Sequence, residues 1–497
     1  MSAQHLLINA QYPEELRVAL AEGQSLEGFF IETATRGKVV GNIYKGIVVN
    51  VQPSLQAAFV DYGGERNGFL PLSEIHPDYY AVEIEGPPKI QDVIRQGQEV
   101  LVQVTKEEIG TKGAALTTYV SLAGRYLVLA PGQNQRGVSR KIEDEAQRER
   151  LKQMAQELDV PEEMGIIVRT AAENRTKREI QKDLRYLIRI WEGILEKVKE
   201  SQAPALIYRE RDLAIRVVRD YFHPAIKSIL VDNPEVHRQV KEFIRIISPR
   251  HQRLVKLYKG DAPLFNKFHL EDQIDQLFQK KVPLKSGGYL VIDSTEALVA
   301  IDVNSGRATR ETAQEENIYR VNMEAAEEIP RQLRLRDLGG LVVVDFIDMR
   351  QAQHIRNVER RIREEVKKDK AKVKVGKISA FGLLEISREH LGLSIQLGSY
   401  RSCPFCEGTG MVRSTEASAV WYLRKIWNGF LKDDVVAVHA RLSPDVAHYL
   451  LNRKRKDLMA LEEHFKNEIH IEACAQLAPH EGHLEFVSAE ASSAPTQ

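Results

Sequence analysis

The stretch Gly41–Ile75, GNIYKGIVVNVQPSLQAAFVDYGGERNGFLPLSEI, decides how the chain is organised. Its apolar residues fall into short alternating runs, GIVVNV, AAFVDYG and NGFLPL, separated by Gly and Pro. A further run, EVLVQVTKE, continues the texture after residue 98. Short strands punctuated in this way predict a small antiparallel barrel. The sequence on either side reads differently, so the barrel is an insertion.

Before it, residues 1–35 read as one or two strands and a helix. After it, residues 140–199 are strongly charged and predict helix, enclosing one apolar stretch, MGIIVRTAA. Residues 205–280 alternate helix and strand. GGYLVID and EALVAIDV then predict paired strands, followed by a long helix. GGLVVVDFID predicts a buried strand, and AQHIRNVERRIREEVKKDKAKVKV a helix running into a strand. From Thr415 the chain reads as a small mixed domain with a Ser/Ala tail. The coarse class is multidomain α/β with an inserted β-barrel.

At 497 residues the chain is long enough for several cores. Lys+Arg and Asp+Glu both number 70, so overall charge says nothing about a nucleic-acid partner. Three cysteines cannot build a disulfide framework, which suits a reducing compartment. The start, MSAQHLLINAQYPEELRVAL, lacks a basic leader before an apolar run, so no signal peptide is expected. No apolar run is long enough for a transmembrane segment. A cytoplasmic location is the expectation.

Three constellations carry chemistry. In the barrel, Phe59 and Phe69 lie on strands near Tyr62, with Lys45, Arg66 and Lys112 close in sequence. Single-stranded RNA is held by aromatic faces that stack bases and by cations along the phosphates. The plainer reading makes both phenylalanines barrel core. The pattern resembles the OB-fold of ribosomal protein S-one, where the phenylalanines at these positions face RNA.

The second constellation is acidic. Asp302 ends an apolar strand in ALVAIDVNSGRATR, and Asn304, two residues on, shares its face. Asp345 interrupts an aliphatic run in GGLVVVDFIDMR. A carboxylate buried among aliphatic residues needs a partner or a cation. Two of them on neighbouring strands, with waters and a substrate phosphate, suit Mg²⁺. Bound there, the ion could activate water against a phosphodiester. The alternative makes each acid a cap or turn residue, Asp302 on the NSG amides and Asp348 starting a turn.

The third is RSCPFCEGTG, residues 401–410. Cys403 and Cys406 have zinc-knuckle spacing, but a closed structural site needs four ligands and Cys474 stands far downstream. The simplest completion is the same pair from a second chain, sharing one Zn²⁺. A redox dithiol is the competing reading; it would place the first cysteine at a helix N-terminus, and EGTG is a poor helix start. Cys474 is expected to be buried as a small apolar residue. RRIREEVKKDKAKVKVGK reads as a solvated charged face before an RNA-binding strip. AAEEIPRQLRLRDLGG reads as scaffold through Ile329 and Leu333. No HExxH or GxxxxGK[ST] motif occurs.

Together IDVNSGRATR, ETAQEENIYRVNMEAAEEIPRQLRLRDLGGLVVVDFIDM, ISAFGLLEISR and CPFCEGTG resemble the ribonuclease E/G family. AAFVDYGGERNGFLPL and KGAALTTYVSLAGRYLVL add the N-terminal half. The resemblance implies an RNase H-like domain split into residues 1–35 and 216–280 around an OB-fold (36–124) and a 5′-sensor region (125–215). A DNase I-like domain (281–399), a zinc-link (400–415) and a small C-terminal domain with tail (416–497) would follow. It implies Asp302 and Asp345 as Mg²⁺ ligands, with Asn304 their hydrogen-bonding partner. It implies Arg169 and Thr170 as 5′-monophosphate contacts, with Gly124 and Val128 shaping the pocket; without it, Arg169 reads as a surface ion-pair residue. The implied activity is endonucleolytic cleavage of single-stranded, AU-rich RNA in ribosomal and transfer RNA maturation and messenger RNA decay, leaving 5′-phosphates. A homodimer sharing Zn²⁺, pairing into a tetramer, is implied as well. The short EASSAPTQ tail suggests a plan like ribonuclease G, without an extended scaffold for a degradative assembly. A non-catalytic RNA-binding or assembly protein on the same fold is the alternative.

Overall fold

The computed structural model describes residues 3–33, 39–80, 88–108, 113–139, 141–142, 144–306, 314–390, 395, 403–432, 434–479 and 481–488. Lys112 and the C-terminal tail lie outside them. The chain divides into two compact units, Met1–Ser399 and Tyr400–Gln497.

In the first unit, Gln4–Asn9, Glu15–Glu22 and Ser25–Thr33 form an antiparallel meander. Gln4–Asn9 also pairs in parallel with Ile226–Val231, which pairs with Val255–Leu257. One five-stranded sheet therefore draws on segments separated by some two hundred residues of sequence. Leu6, Leu7 and Ile8 are wholly buried, as expected for a central strand covered on both faces. The helix expected within residues 1–35 is absent among the described residues. Leu16, Val18 and Leu20 alternate at period two, and strand pairing overrides the helical preference of the Glu, Leu and Ala around them.

Strands Ile43–Gln52, Ala57–Asp61, Gly68–Pro71, Ala115–Thr117 and Glu99–Lys106 close into a five-stranded barrel, the last returning to the first. Val48, Val60, Leu70, Val100 and Val102 point inward and are buried. Gly46 is required by close approach: a Cβ there would sit 2.6 Å from Val60 Cγ1 and 2.9 Å from the Asp61 carbonyl.

Beyond the barrel, a four-stranded sheet (Leu122–Ala123, Leu127–Pro131, Met164–Val168, Arg136–Val138) packs with helices Glu145–Gln156 and Lys177–Glu200. Thr176 and Glu179 form a reciprocal capping box that starts the longer helix.

The last sheet of this unit runs Lys281–Pro283, Tyr289–Ser294, Val299–Asn304, Gly340–Asp345, Leu383–Arg388, Val373–Val375. Helices Gln314–Arg336 and Ala352–Val366 cover one face, packing Ile329, Leu333, Val358 and Ile362 against Ile301, Val303, Val342 and Val344. The expected buried strand at GGLVVVDFID is buried on that side only; Leu341 on the opposite side is 46% exposed. The charged helix 352–366 pairs Arg363 with Glu359 and Arg361 with Glu365 along its surface.

The second unit has a three-stranded sheet with Val435–Leu442 at its centre, parallel to Glu468–Ala473 and antiparallel to Gly482–Ser488. Helices Thr415–Phe430, Pro444–Arg453 and Arg455–Phe465 contribute Ala419, Tyr422, Val446, Leu450 and Leu458 to its core. Cys474 is half-exposed rather than buried, because it lies just past the end of an edge strand.

Candidate active site and RNA-binding surfaces

The face of the 299–304 sheet that the helices leave uncovered carries the acids. Val299–Asn304 and Gly340–Asp345 run parallel, and their register sets Asp302 directly opposite Asp345. Asn304 donates from Nδ2 to Asp302 Oδ2 at 2.7 Å. Both carboxylates are exposed, which corrects the expectation that they are buried among aliphatic residues. Strand alternation sends the valines and isoleucines to the helical side and the acids to the other. Among the described residues no ion pair reaches Asp302 or Asp345, and the Asn304 bond engages one Asp302 oxygen.

Opposite Asp345 across the next strand stands Leu383, preceded by a tight turn at Ser379–Gly382. Gly382 has φ +79°, and its backbone passes so close to the acids that a Cβ would lie 3.3 Å from Asp348 Oδ1 and 4.0 Å from Asp345 Oδ1. Asp348 is exposed and beyond the strand end. On the other flank, Tyr289 pairs with Asn304 in register, and Lys281 Nζ lies 3.5 Å from the Tyr289 ring centre. Spacing within single motifs carries no signal for these neighbours; only sheet register brings them together.

On the barrel, Phe59 and Phe69 are cross-strand partners with ring centroids 5.9 Å apart, edge to face. Both are half-buried and stand outside the barrel's buried core. Lys45, by contrast, is tied to Glu99 at 2.8 Å and to the Ser201 carbonyl at 3.0 Å. Tyr62 is buried and bonded to Glu108, so it belongs to the core.

The Gly124, Val128, Arg169 and Thr170 positions converge at one corner of the four-stranded sheet. Val128 pairs with Ala123 on one side and Ile167 on the other. Arg169 donates from Nη1 to the Gly124 carbonyl at 2.6 Å and pairs through Nη2 with Asp220 Oδ1 at 2.7 Å. It is thus an ion-pair residue as its plainest reading has it, with the fork oriented by these two contacts. Thr170 is exposed and opens a single 3₁₀ turn. Gly124 has no room for a side chain: a Cβ would fall 2.6 Å from Asp183 Oδ2. Asp183 accepts the backbone N–H groups of Arg125, Tyr126 and Leu127; burial pushes its carboxyl up, against the pull of those donors. Burial would also raise Asp220, but Arg219 and Arg169 hold it below the usual carboxylate range.

This corner touches the acidic sheet's own polypeptide. Lys370 Nζ sits 3.3 Å from the Tyr221 ring centre and bonds to the Asp220 carbonyl. Burial brings its ammonium down to about 7, against the attraction of Asp220. Its neighbour Asp369 pairs with Arg388 at 2.8 Å, and Arg388 also holds Asp337 at 2.9 Å and the Leu338 carbonyl at 2.7 Å.

In the second unit, Cys403 and Cys406 lie in consecutive turns, with the Glu407 and Thr409 N–H groups bonded to the Cys403 and Cys406 carbonyls. The backbone N–H groups of Gly408 and Gly410 favour the Cys406 thiolate and lower its pKa. Both glycines have φ values, +95° and +73°, that a side chain would resist. Neither cysteine heads a helix, since the next one starts at Thr415, which speaks against a redox dithiol. Among the described residues no cluster of three or more His, Cys, Asp or Glu could hold a metal ion; the chain presents two thiols here and two carboxylates on the sheet.

Comparison with known proteins gives the arrangement its relatives. The model of the ribonuclease E/G family matches residues 121–391, that of the S1 RNA binding domain residues 39–118, and that of the RNase E/G thioredoxin-like domain residues 402–487. Ribonuclease E of Haemophilus influenzae is 48% identical over 467 residues, 93% of this chain and 50% of that protein. Ribonuclease E of Escherichia coli K12 is 48% identical over 461 residues, 92% of this chain and 43% of that protein. Ribonuclease G of the same strain is 39% identical over 462 residues, 92% of this chain and 94% of that protein. The chain thus spans about half the length of the ribonuclease E relatives it matches. No helix among the described residues is long and apolar enough to cross a membrane. An S1 barrel, a mixed α/β body with paired strand-borne acids and relatives of this similarity lead to one conclusion: the chain belongs to the ribonuclease E/G family.

Proposed function

We propose that the chain is a Mg²⁺-dependent endoribonuclease of single-stranded RNA. The observation that carries this is the in-register pair Asp302 and Asp345, with Asn304 fixing one Asp302 oxygen. Two exposed carboxylates without an ion-pair partner among the described residues fit a hard oxygen-seeking cation. When bound, Mg²⁺ supplies Lewis-acid stabilisation and an activated water for phosphodiester hydrolysis. Asp302 and Asp345 would hold it, and Asn304 would keep the Asp302 carboxylate in one orientation. Phe59 and Phe69 would stack bases delivered to the sheet, with Lys112 on the phosphates. Arg169 and Thr170 would receive a 5′-monophosphate, the guanidinium fork and hydroxyl matching its oxygens. Family membership supports AU-rich single strands as substrate, products with 5′-phosphates, and a cytoplasmic role in ribosomal and transfer RNA maturation and messenger RNA decay.

The architecture supports the domain reading that goes with this activity. The sheet shared by residues 4–33 and 226–257 would be the split RNase H-like domain, and the 281–388 sheet the DNase I-like one. Cys403 and Cys406 fit half of a tetrahedral thiolate site, because the Gly408 and Gly410 N–H groups stabilise bound thiolate sulfur. Two chains would share one Zn²⁺, and such dimers would pair into tetramers.

The test is cleavage of a 5′-monophosphorylated single strand with and without Mg²⁺, by the wild type and by Asp302→Asn. Undiminished cleavage by the variant would remove the mechanism. Metal analysis should find about half a zinc per chain, as a shared four-ligand site requires; one zinc per chain would remove the link.

A further inference from the structure

Phe381 is the most exposed large apolar side chain among the described residues, at 84%. Leaving a phenylalanine in water forgoes the stabilisation that burial would give it. Its neighbours do the opposite: Leu384 and Ile386 on the strand that follows are fully buried. Nor is the segment loosely held. Gly382 donates to the Ser379 carbonyl at 3.1 Å, Ser379 donates to the Leu383 carbonyl at 2.9 Å, and the Phe381 N–H donates to Ser379 Oγ at 3.3 Å. The Gly382 carbonyl receives the Phe346 N–H, one residue beyond Asp345. The turn therefore presents the ring to solvent from a backbone anchored against Asp345 and Asp348.

An exposed aromatic ring, one residue from the backbone that approaches Asp345 and Asp348, is what a splayed base stacks upon. We propose that Phe381 is a base-stacking platform at the cleavage site. It would clamp a nucleotide next to the scissile phosphodiester and so set which bond reaches Asp302 and Asp345. This rests on the nuclease reading above and adds a substrate contact to it. The contact is separate from Phe59 and Phe69, which stand on the barrel. The glycine after it serves the same end, since its φ of +79° is one that a side chain would resist, and a Cβ there would crowd Asp348 Oδ1 at 3.3 Å.

The experiment compares wild type, Phe381→Ala and Phe381→Trp on single-stranded RNA carrying one abasic site, scanned through the residues flanking the cleavage point. Phe381→Ala should lower kcat/KM roughly 5- to 150-fold on intact RNA, the range expected for losing one base–aromatic stack. Phe381→Trp should retain activity. At one abasic position the wild type should fall to the level of Phe381→Ala, and the two should no longer differ. A loss for Phe381→Ala under twofold, or an equal loss at every abasic position, overturns the proposal. A second readout is independent of cleavage: a 2′-O-methyl RNA with 2-aminopurine scanned through the same positions. One position should be quenched by the wild type and released by Phe381→Ala; no such position overturns the proposal. If the wild type cleaves nothing, the nuclease reading falls, and the aminopurine result still decides the stacking contact.

Discussion

Asp302 and Asp345 are partners across a parallel strand pair, side chains on the face of the sheet opposite helices 314–336 and 352–366. Parallel register is what aligns them, since both acids follow aliphatic runs whose alternate residues pack on the helices. Asp345→Asn should therefore abolish cleavage without unfolding the sheet. Removing a ligand of a charge-stabilising metal costs several kcal/mol, or about 10³-fold in rate. RNA affinity, measured by fluorescence anisotropy without Mg²⁺, should stay within about twofold of wild type, because the proposed reading places most of the binding on the barrel. Parallel losses in affinity and rate would mean that the acid is structural.

The Phe59–Phe69 pair makes a separate prediction. Each ring stacks on RNA in the proposed reading, so Phe59→Ala should weaken binding of a short single strand by about 5- to 150-fold. The thermal midpoint should hardly move, because neither ring belongs to the buried barrel core. A large drop in stability with unchanged affinity would restore the core reading.

Arg388 predicts a stability effect. Its side chain is 1% exposed and joins Asp369 and Asp337, which lie outside its own strand. Arg388→Met would leave Asp369, itself 4% exposed, without its cation. Breaking such a pair from one side costs about 3–5 kcal/mol, read as a lower denaturation midpoint. The double variant Arg388→Met/Asp369→Asn should recover part of the loss, since the stranded charge is gone.

Asp220 predicts a pH dependence. Its carboxyl is held low in the folded chain despite burial, by Arg219 and Arg169. A depressed carboxyl contributes stability that is fully present above its unfolded value, about pH 4, and lost as pH falls through the folded value. Asp220→Asn should therefore be less stable than wild type near neutrality, by about 3 kcal/mol for a pair still partly open to solvent. The gap should close on acidification below about pH 4. A gap independent of pH would assign the effect to packing. The same variant should blunt any preference for 5′-monophosphate, because Arg169 loses the anion that orients it.

Much of the fold was legible because period-two alternation survives translation into strands. The barrel strands, the paired strands before Asp302, and the helix holding Ile329 and Leu333 all carried local signals. The second strand, Glu15–Glu22, was less legible, since its glutamates, leucines and alanines favour helix and only pairing on both sides made it a strand. The acids were identifiable, but their exposure was not. An aspartate after an aliphatic run looks buried until the structure shows which face the helices 314–336 and 352–366 cover.

The sequence by itself determined the chemistry on offer: two carboxylates with an asparagine two residues on, two barrel phenylalanines, and a cysteine pair too few for a closed zinc site. Those depend on residue type and spacing along one strand or turn, which are local properties. Tertiary structure alone decided what meets across the chain. Asp302 faces Asp345 through parallel register, Arg169 finds Asp220 on another element, and the turn bearing Phe381 abuts the acids through the close approach of Gly382. Such contacts follow from the free energy of packing distant segments together, and no short window of sequence encodes them.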